Sequence, residues 1–221
     1  MTLYFKNNIP FVEGVSLNDL TNTVETPFYI YSQKKIIDSY EYIKKTLNTN
    51  IYYALKANSN QAIVSLLKSL GAGADAVSVG EIMRALEAGV NPNKIIFEGV
   101  GKSKNDIEFA LHQKIKQINV ESVEELKLIN NIAGSLKVIA NIGIRLNPDI
   151  DALTLDKIST GRKKDKFGIS FDKINTICSL IPNYQNLNIK GISCHIGSQI
   201  NDSSIYEKVF LKMKKASEIM E

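Results

Sequence analysis

Cysteine and histidine are both scarce in this 221-residue chain, with two of each. Cys178 and Cys194 cannot build a disulfide framework or a thiolate metal cluster, and His112 and His195 are too few for an ordinary zinc site. Cys194 precedes His195 directly, but neighbours on a strand point to opposite faces, so a cysteine–histidine dyad is not expected. No apolar run approaches the ~20 residues of a membrane span. The opening Met1-Thr2-Leu3-Tyr4-Phe5-Lys6 leads into a polar segment without the apolar core of a signal peptide, so a cytoplasmic protein is expected. Charge of one sign is also missing: 27 basic against 23 acidic side chains leave +4, dispersed without basic clusters interleaved with aromatics. That excludes the usual nucleic-acid footprint.

What is present is a globular composition, 44% hydrophobic and 23% charged. Strands are expected near Phe28–Tyr31, 51–55, 75–79, Ile95–Phe97, Gln117–Val120, 138–146 and 189–195. Between them fall helical patterns near Gln33–Leu47, 61–70, 81–88, Lys104–His112, 123–132 and 171–180, with a last one over 203–221. Such alternation predicts parallel strands with right-handed crossovers, hence a β/α barrel or an open doubly wound sheet. Residues 1–26 lie outside the pattern and 27–221 inside it.

Two glycine motifs resemble nucleotide loops and fail on context. Gly99-Val100-Gly101-Lys102-Ser103 has Ile96 where a P-loop needs its first glycine, and Gly71-Ala72-Gly73 leaves a helix for a strand, the reverse of a dinucleotide fingerprint. Both read as turns, with Gly71 as a helix C-cap. One connection is unusually long, from Asn147 to Gly168 through Arg162-Lys163-Lys164-Asp165-Lys166. A loop of that length in a compact domain is commonly functional, and in a barrel it would lie over the catalytic face.

In a barrel the chemistry sits at the carboxyl ends of the strands. In Ile51-Tyr52-Tyr53-Ala54-Leu55-Lys56, alternation puts Lys56 on the face of Tyr52 and Ala54, at the last rung of a buried strand. A desolvated amine there suits Schiff-base formation with an aldehyde such as pyridoxal phosphate (PLP); snorkelling to solvent is the alternative. Asp75 opens the next strand and shares a face with Val77 and Val79, where a carboxylate would hold the lysine's charge or simply be solvated. Arg145 ends the sixth strand and needs a carboxylate, phosphate or phenolate partner, or else forms an exposed ion pair. His195 points inward with Ser193, either to stack on a flat cofactor or as a core histidine, while Gly197 and Ser198 form a turn suited to a phosphate oxygen.

Seven segments in order, YALKAN (53–58), GAGADAVSVGE (71–81), FEGVGKS (97–103), INVES (118–122), IRLNPDIDA (144–152), STGRKKDKFGI (159–169) and CHIGSQI (194–200), resemble the diaminopimelate, ornithine and arginine decarboxylases. These are PLP enzymes on an alanine-racemase-like β/α barrel. STG…KFGI and HIGSQI are most similar to the diaminopimelate branch. The resemblance implies that Lys56 bonds PLP, His195 stacks on its ring, Ser198 and Gly197 lie by its phosphate, and Asp75 and Arg145 form a charged pair bracing lysine and histidine. It further implies decarboxylation of meso-2,6-diaminopimelate to L-lysine by a homodimer with its active site at the interface.

Two departures accompany it. Thr154-Leu155 stands where family members often carry Thr-His. The chain also stops in a helix after the seventh expected strand. The family continues with an eighth strand, a glycine-rich phosphate loop, a Glu on the pyridine nitrogen, substrate-binding residues and a β-domain. The expectation is therefore an incomplete barrel, the N-terminal part of the enzyme and inactive alone. Other functions open to this pattern are a non-catalytic PLP-binding or partner-binding protein, and a decarboxylase of ornithine, arginine or carboxynorspermidine.

Overall fold

A computed structural model describes residues 3–220, and in it the chain forms two compact units, Met1–Ile51 and Tyr52–Glu221. In the first, β1 (Leu3–Lys6), β2 (Ile9–Val12) and β3 (Val15–Ser16) make an antiparallel meander. Ser16 then caps α1 (Leu17–Thr21), and Ser32 caps α2 (Gln33–Leu47) by accepting the Lys35 N–H at 2.9 Å. Phe28–Tyr31, expected as a strand, pairs with none among the described residues, and Tyr29 is 89% exposed. Aromatic and β-branched residues favour a strand only where neighbouring strands cover one face, and here nothing supplies that cover within the unit.

The second unit is a sheet wrapped by helices. In order come β4 (Tyr52–Ala54), α3 (Gln61–Ser69), β5 (Gly73–Ala76), α4 (Val79–Glu87), β6 (Ile95–Phe97), α5 (Lys104–His112), β7 (Gln117–Val120) and α6 (Val123–Leu136). They are followed by β8 (Ala140–Asn147), β9 (Ile169–Ser170), α7 (Ile174–Leu180), β10 (Leu187–Ser193) and α8 (Ser204–Met220). Among the described residues no helix is long and apolar enough to cross a membrane. The sheet runs β10-β8-β7-β6-β5-β4 with every pair parallel, and β9 adds a short parallel pairing to β8. The sheet therefore has seven strands, as expected, but β9 is one of them and Phe28–Tyr31 is not.

Ile118, Val120, Ile142 and Ile144 are fully buried in the central strands, and Ile82, Ile107, Leu126 and Ile129 face them from the helices. Along β7 and β8 these apolar residues alternate with Asn119 and with Asn141, Gly143 and Arg145, so the helices cover one face of the sheet and the polar or small residues lie on the other. A flat sheet would hold the two end strands of a six-stranded path about 24 Å apart at ~4.8 Å per spacing. Instead Lys56, just after β4, and His195, just after β10, meet at 3.5 Å. The sheet curls, and its carboxyl ends converge as in a barrel.

A polar layer lies beneath that convergence. Asn119 of β7 donates to the Glu98 carboxylate and to Ser193 Oγ of β10 (3.1 Å), while Gln117 Nε2 donates to Asn119 Oδ1 at 2.7 Å. Asn119 stands opposite Gly143, and a Cβ at 143 would collide with its amide oxygen. Glycine is required there because the asparagine fills the space that any side chain would need.

Candidate active site

Three helices that follow strands of the cavity, α4, α5 and α6, start on serine caps. Ser78 caps α4 and Ser122 caps α6, and in both Ser-Val-x-Glu segments the glutamate reaches back to the residue before the cap. Glu81 accepts the Val77 N–H at 2.8 Å and Glu125 the Glu121 N–H at 2.7 Å. These bonds fix the first residues beyond β5 and β7, where functional side chains point inward.

The ends of the curled sheet enclose an open cavity of about 410 Å³, lined by Lys56, Asp75, Glu98, Arg145, Cys194 and His195 together with Val77, Val100, Thr160 and Phe167. That is within the usual size range of small-molecule sites. Lys56 does not end the strand as expected: β4 stops at Ala54, and Lys56 rides on a single 3₁₀ turn, Leu55–Ala57, exposed rather than desolvated. Its ammonium meets His195 Nε2 at 3.5 Å.

The geometry around His195 defines its tautomer. Thr160 has one hydroxyl proton and donates it to the His195 carbonyl at 2.7 Å, so the 2.7 Å contact between Thr160 Oγ1 and Nδ1 needs the hydrogen on Nδ1. Nε2 keeps its lone pair toward Lys56. Burial, then the positive charges of Lys56 and Arg145, lower the imidazole pKa to about 4, so it is neutral at pH 7. Thr160 and Phe167 come from the long 147–168 connection, which does reach over the strand ends. Asn147 holds it by donating to the carbonyls of Arg162 (2.9 Å) and Phe167 (3.2 Å).

Arg145 and Asp75 line one cavity but do not form the expected pair. Arg145 binds Glu121 at 2.5 Å, lies 4.0 Å from Glu98, and stacks its guanidinium 5.2 Å from the centre of the Phe167 ring. The second Glu121 oxygen accepts the Gly168 N–H at 2.9 Å. Asp75 sits near the end of β5 instead of opening it, because Ser78 already caps a helix and Val79 belongs to α4. Register places Asp75 beside Ile96, so Glu98, two residues further on, shares its face.

Asp75 Oδ1 and Glu98 Oε2 are buried without a hydrogen-bond partner among the described residues. Burial, then the nearby Glu98, raises Asp75 to about 6; burial likewise raises Glu98, with Asn119 opposing. A carboxyl raised in the fold binds its proton more readily there than in the unfolded chain. Its stabilising contribution is present at low pH and lost as pH climbs through about 6. Asp75→Asn escapes that loss, so its stability relative to the parent protein is expected to rise between pH 4.5 and 6.5. Urea midpoints at the two pH values, compared between variant and parent, check the sign.

Ser198 and Gly197 do not line the cavity. Ser198 is exposed, its carbonyl accepting from Thr154 Oγ1 at 2.7 Å, and Gly197 pairs with Ser159 at φ +145°. Thr154 thus has a polar task in this chain, while Leu155 is exposed. Cys194 lines the cavity beside His195 because β10 ends at Ser193, so strand alternation no longer separates them; burial pushes its thiol pKa up.

The cavity fits PLP on its own chemistry. It offers a free primary amine for an aldehyde and a neutral imidazole face for a flat ring. It also has a guanidinium for anionic oxygens, and two orphaned acceptors for N–H or O–H donors.

Residues 33–221 match the family model described as "Pyridoxal-dependent decarboxylase, pyridoxal binding domain". The diaminopimelate decarboxylase of Aquifex aeolicus is 43% identical over 212 residues, 96% of this chain and 50% of that protein. That of Helicobacter pylori is 48% identical over 187 residues, 83% of this chain and 46% of that protein. A crystal structure of the Helicobacter pylori diaminopimelate decarboxylase complexed with L-lysine superposes with a TM-score of 0.85 at 44% identity, over 92% of this chain and 52% of that one. The chain spans about half the length of the curated relatives it matches.

Proposed function

This chain belongs to the pyridoxal-dependent decarboxylase family, and on that premise we propose that it carries PLP on Lys56 within a protein that removes carbon dioxide from meso-2,6-diaminopimelate to give L-lysine. The observation that carries the reading is the convergence of Lys56, Arg145 and His195, from three separate strand ends, on one cavity. When bound, PLP supplies an aldehyde for amine condensation and a ring that withdraws electrons from the carbon losing carbon dioxide.

The rest is the work of the chain's own groups. Lys56 would provide the amine that holds the cofactor, and its exposure and 3.5 Å contact to His195 leave that amine accessible. His195, held in one tautomer by Thr160, presents a neutral ring face that does not compete for the ligand's protons. Arg145 draws anionic groups in, and the unpartnered Asp75 and Glu98 oxygens are open to a ligand's N–H or O–H donors. Val77, Val100 and Phe167 add apolar surface to the lining. We place the enzyme in the cytoplasm and infer a homodimer whose partner helps to cover the exposed Lys56.

The test is carbon dioxide release from meso-diaminopimelate, ornithine and arginine by the whole protein. Preference for diaminopimelate is the expected result, and preference for ornithine or arginine overturns the substrate assignment. PLP labelling with no release from any of them would favour a non-catalytic binding protein. Since residues 1–221 span about half of the relatives, this stretch alone is expected to retain labelling with little turnover, and robust release by it would refute that expectation.

A further inference from the structure

The lysine of the Gly99-Val100-Gly101-Lys102-Ser103 turn is not solvated. Lys102 is only 2% exposed in its side chain, and all three ammonium protons are spoken for: Gly99 O at 2.6 Å, Asn119 O at 2.7 Å and Glu125 Oε1 at 3.0 Å. Its ammonium also lies 5.5 Å from the centre of the Phe97 ring. An ammonium withdrawn from water in this way persists only where every proton has an acceptor.

Its three acceptors lead to the cavity by separate routes. Gly99 is part of the wall. Asn119 carries the side chain that holds Glu98. Glu125 reaches furthest: its other oxygen takes the Glu121 N–H at 2.7 Å, and the Glu121 carboxylate holds Arg145 at 2.5 Å and the Gly168 N–H at 2.9 Å. Arg145 in turn stacks on Phe167. We propose that Lys102 is a positioning residue for this site, setting the direction of the Arg145 guanidinium through Glu125 and Glu121 and fixing the Gly99 wall directly. The inference rests on the PLP reading above only for its cofactor readout.

A buried lysine can also serve stability alone, so the test separates the two roles. Lys102→Met keeps the stem against Phe97 but strands the Glu125 carboxylate, and it is expected to melt well below the parent. Lys102→Met/Glu125→Gln removes both charges together and is expected to recover most of that loss. If Lys102 positions Arg145, the recovered double variant still binds PLP at least tenfold more weakly in an absorbance titration, with a shifted pH midpoint of the bound chromophore's absorbance. Parent-like affinity and midpoint in a parent-like fold would overturn the proposal.

Should Lys102→Met variants not fold, Glu125→Gln alone loosens the same link, and an affinity unchanged from the parent would be equally fatal. A second readout needs no cofactor. The Arg145 Nε–H exchange rate by NMR is expected to increase severalfold in the double variant, and an unchanged rate counts against the link. Absence of PLP binding by the parent protein would overturn the cofactor reading, leaving the exchange rate to decide the positioning claim.

Discussion

Lys56→Ala is expected to abolish covalent capture of PLP: borohydride reduction followed by peptide mass spectrometry should show label on Lys56 in the parent and background in the variant. The expectation rests on how the cavity treats its lysines. Lys56 projects from a 3₁₀ turn, exposed, with one 3.5 Å contact among the described residues, so its amine is open to react. Lys102, on the loop that forms a wall of the same cavity, has every proton engaged and is closed off from water. Capturing an aldehyde there would break a buried ion pair, so Lys102 is no substitute. Lys56→Arg is a stringent companion, since it keeps the positive charge beside His195 and removes only the primary amine. Label that maps at full stoichiometry to another lysine would reject Lys56.

The features legible in the sequence are those that its pattern encodes directly. Alternating apolar strands and amphipathic helices were enough for the parallel sheet; strand-end positions brought out Lys56, Arg145 and His195, and Asp75 was picked as a strand opening, and all four do line one cavity. The pairing among them was not readable. Arg145 could have met any carboxylate within reach, and the choice of Glu121 over Asp75 follows from the junction after β7, where Glu125 fixes the Glu121 backbone. Glu98 and Glu121 were missed although each is the first residue beyond its strand, the signal that could have found them. Phe28–Tyr31 failed for the opposite reason: its composition suits a strand, but strand formation depends on a partner the sequence does not name. Cys194 reaches the cavity because β10 stops one residue short of it, and boundaries of that kind are the least legible feature of a sequence.

Arg145→Met should carry the largest stability cost at the site. Arg145 and Glu121 are 9% and 5% exposed in their side chains, so removing the guanidinium leaves a carboxylate without its counter-charge and out of water. Breaking such a pair costs about 3–5 kcal/mol. At roughly 2–4 °C per kcal/mol for a chain of this size, the melting temperature should fall by about 6–20 °C. Glu121→Gln/Arg145→Met should recover a large part of that fall, because a neutral amide oxygen can still accept the Gly168 N–H. Cofactor binding should not recover with it. Without Arg145, Lys56 is left as the one cation facing Asp75 and Glu98 among the cavity's described lining residues, and an anionic ligand then enters a site with no guanidinium to balance its charge. Melting curves and PLP titrations on the single and double variants separate the two effects. Recovery of both together would mean that Arg145 serves the fold alone, and recovery of stability without affinity would assign its charge to the ligand.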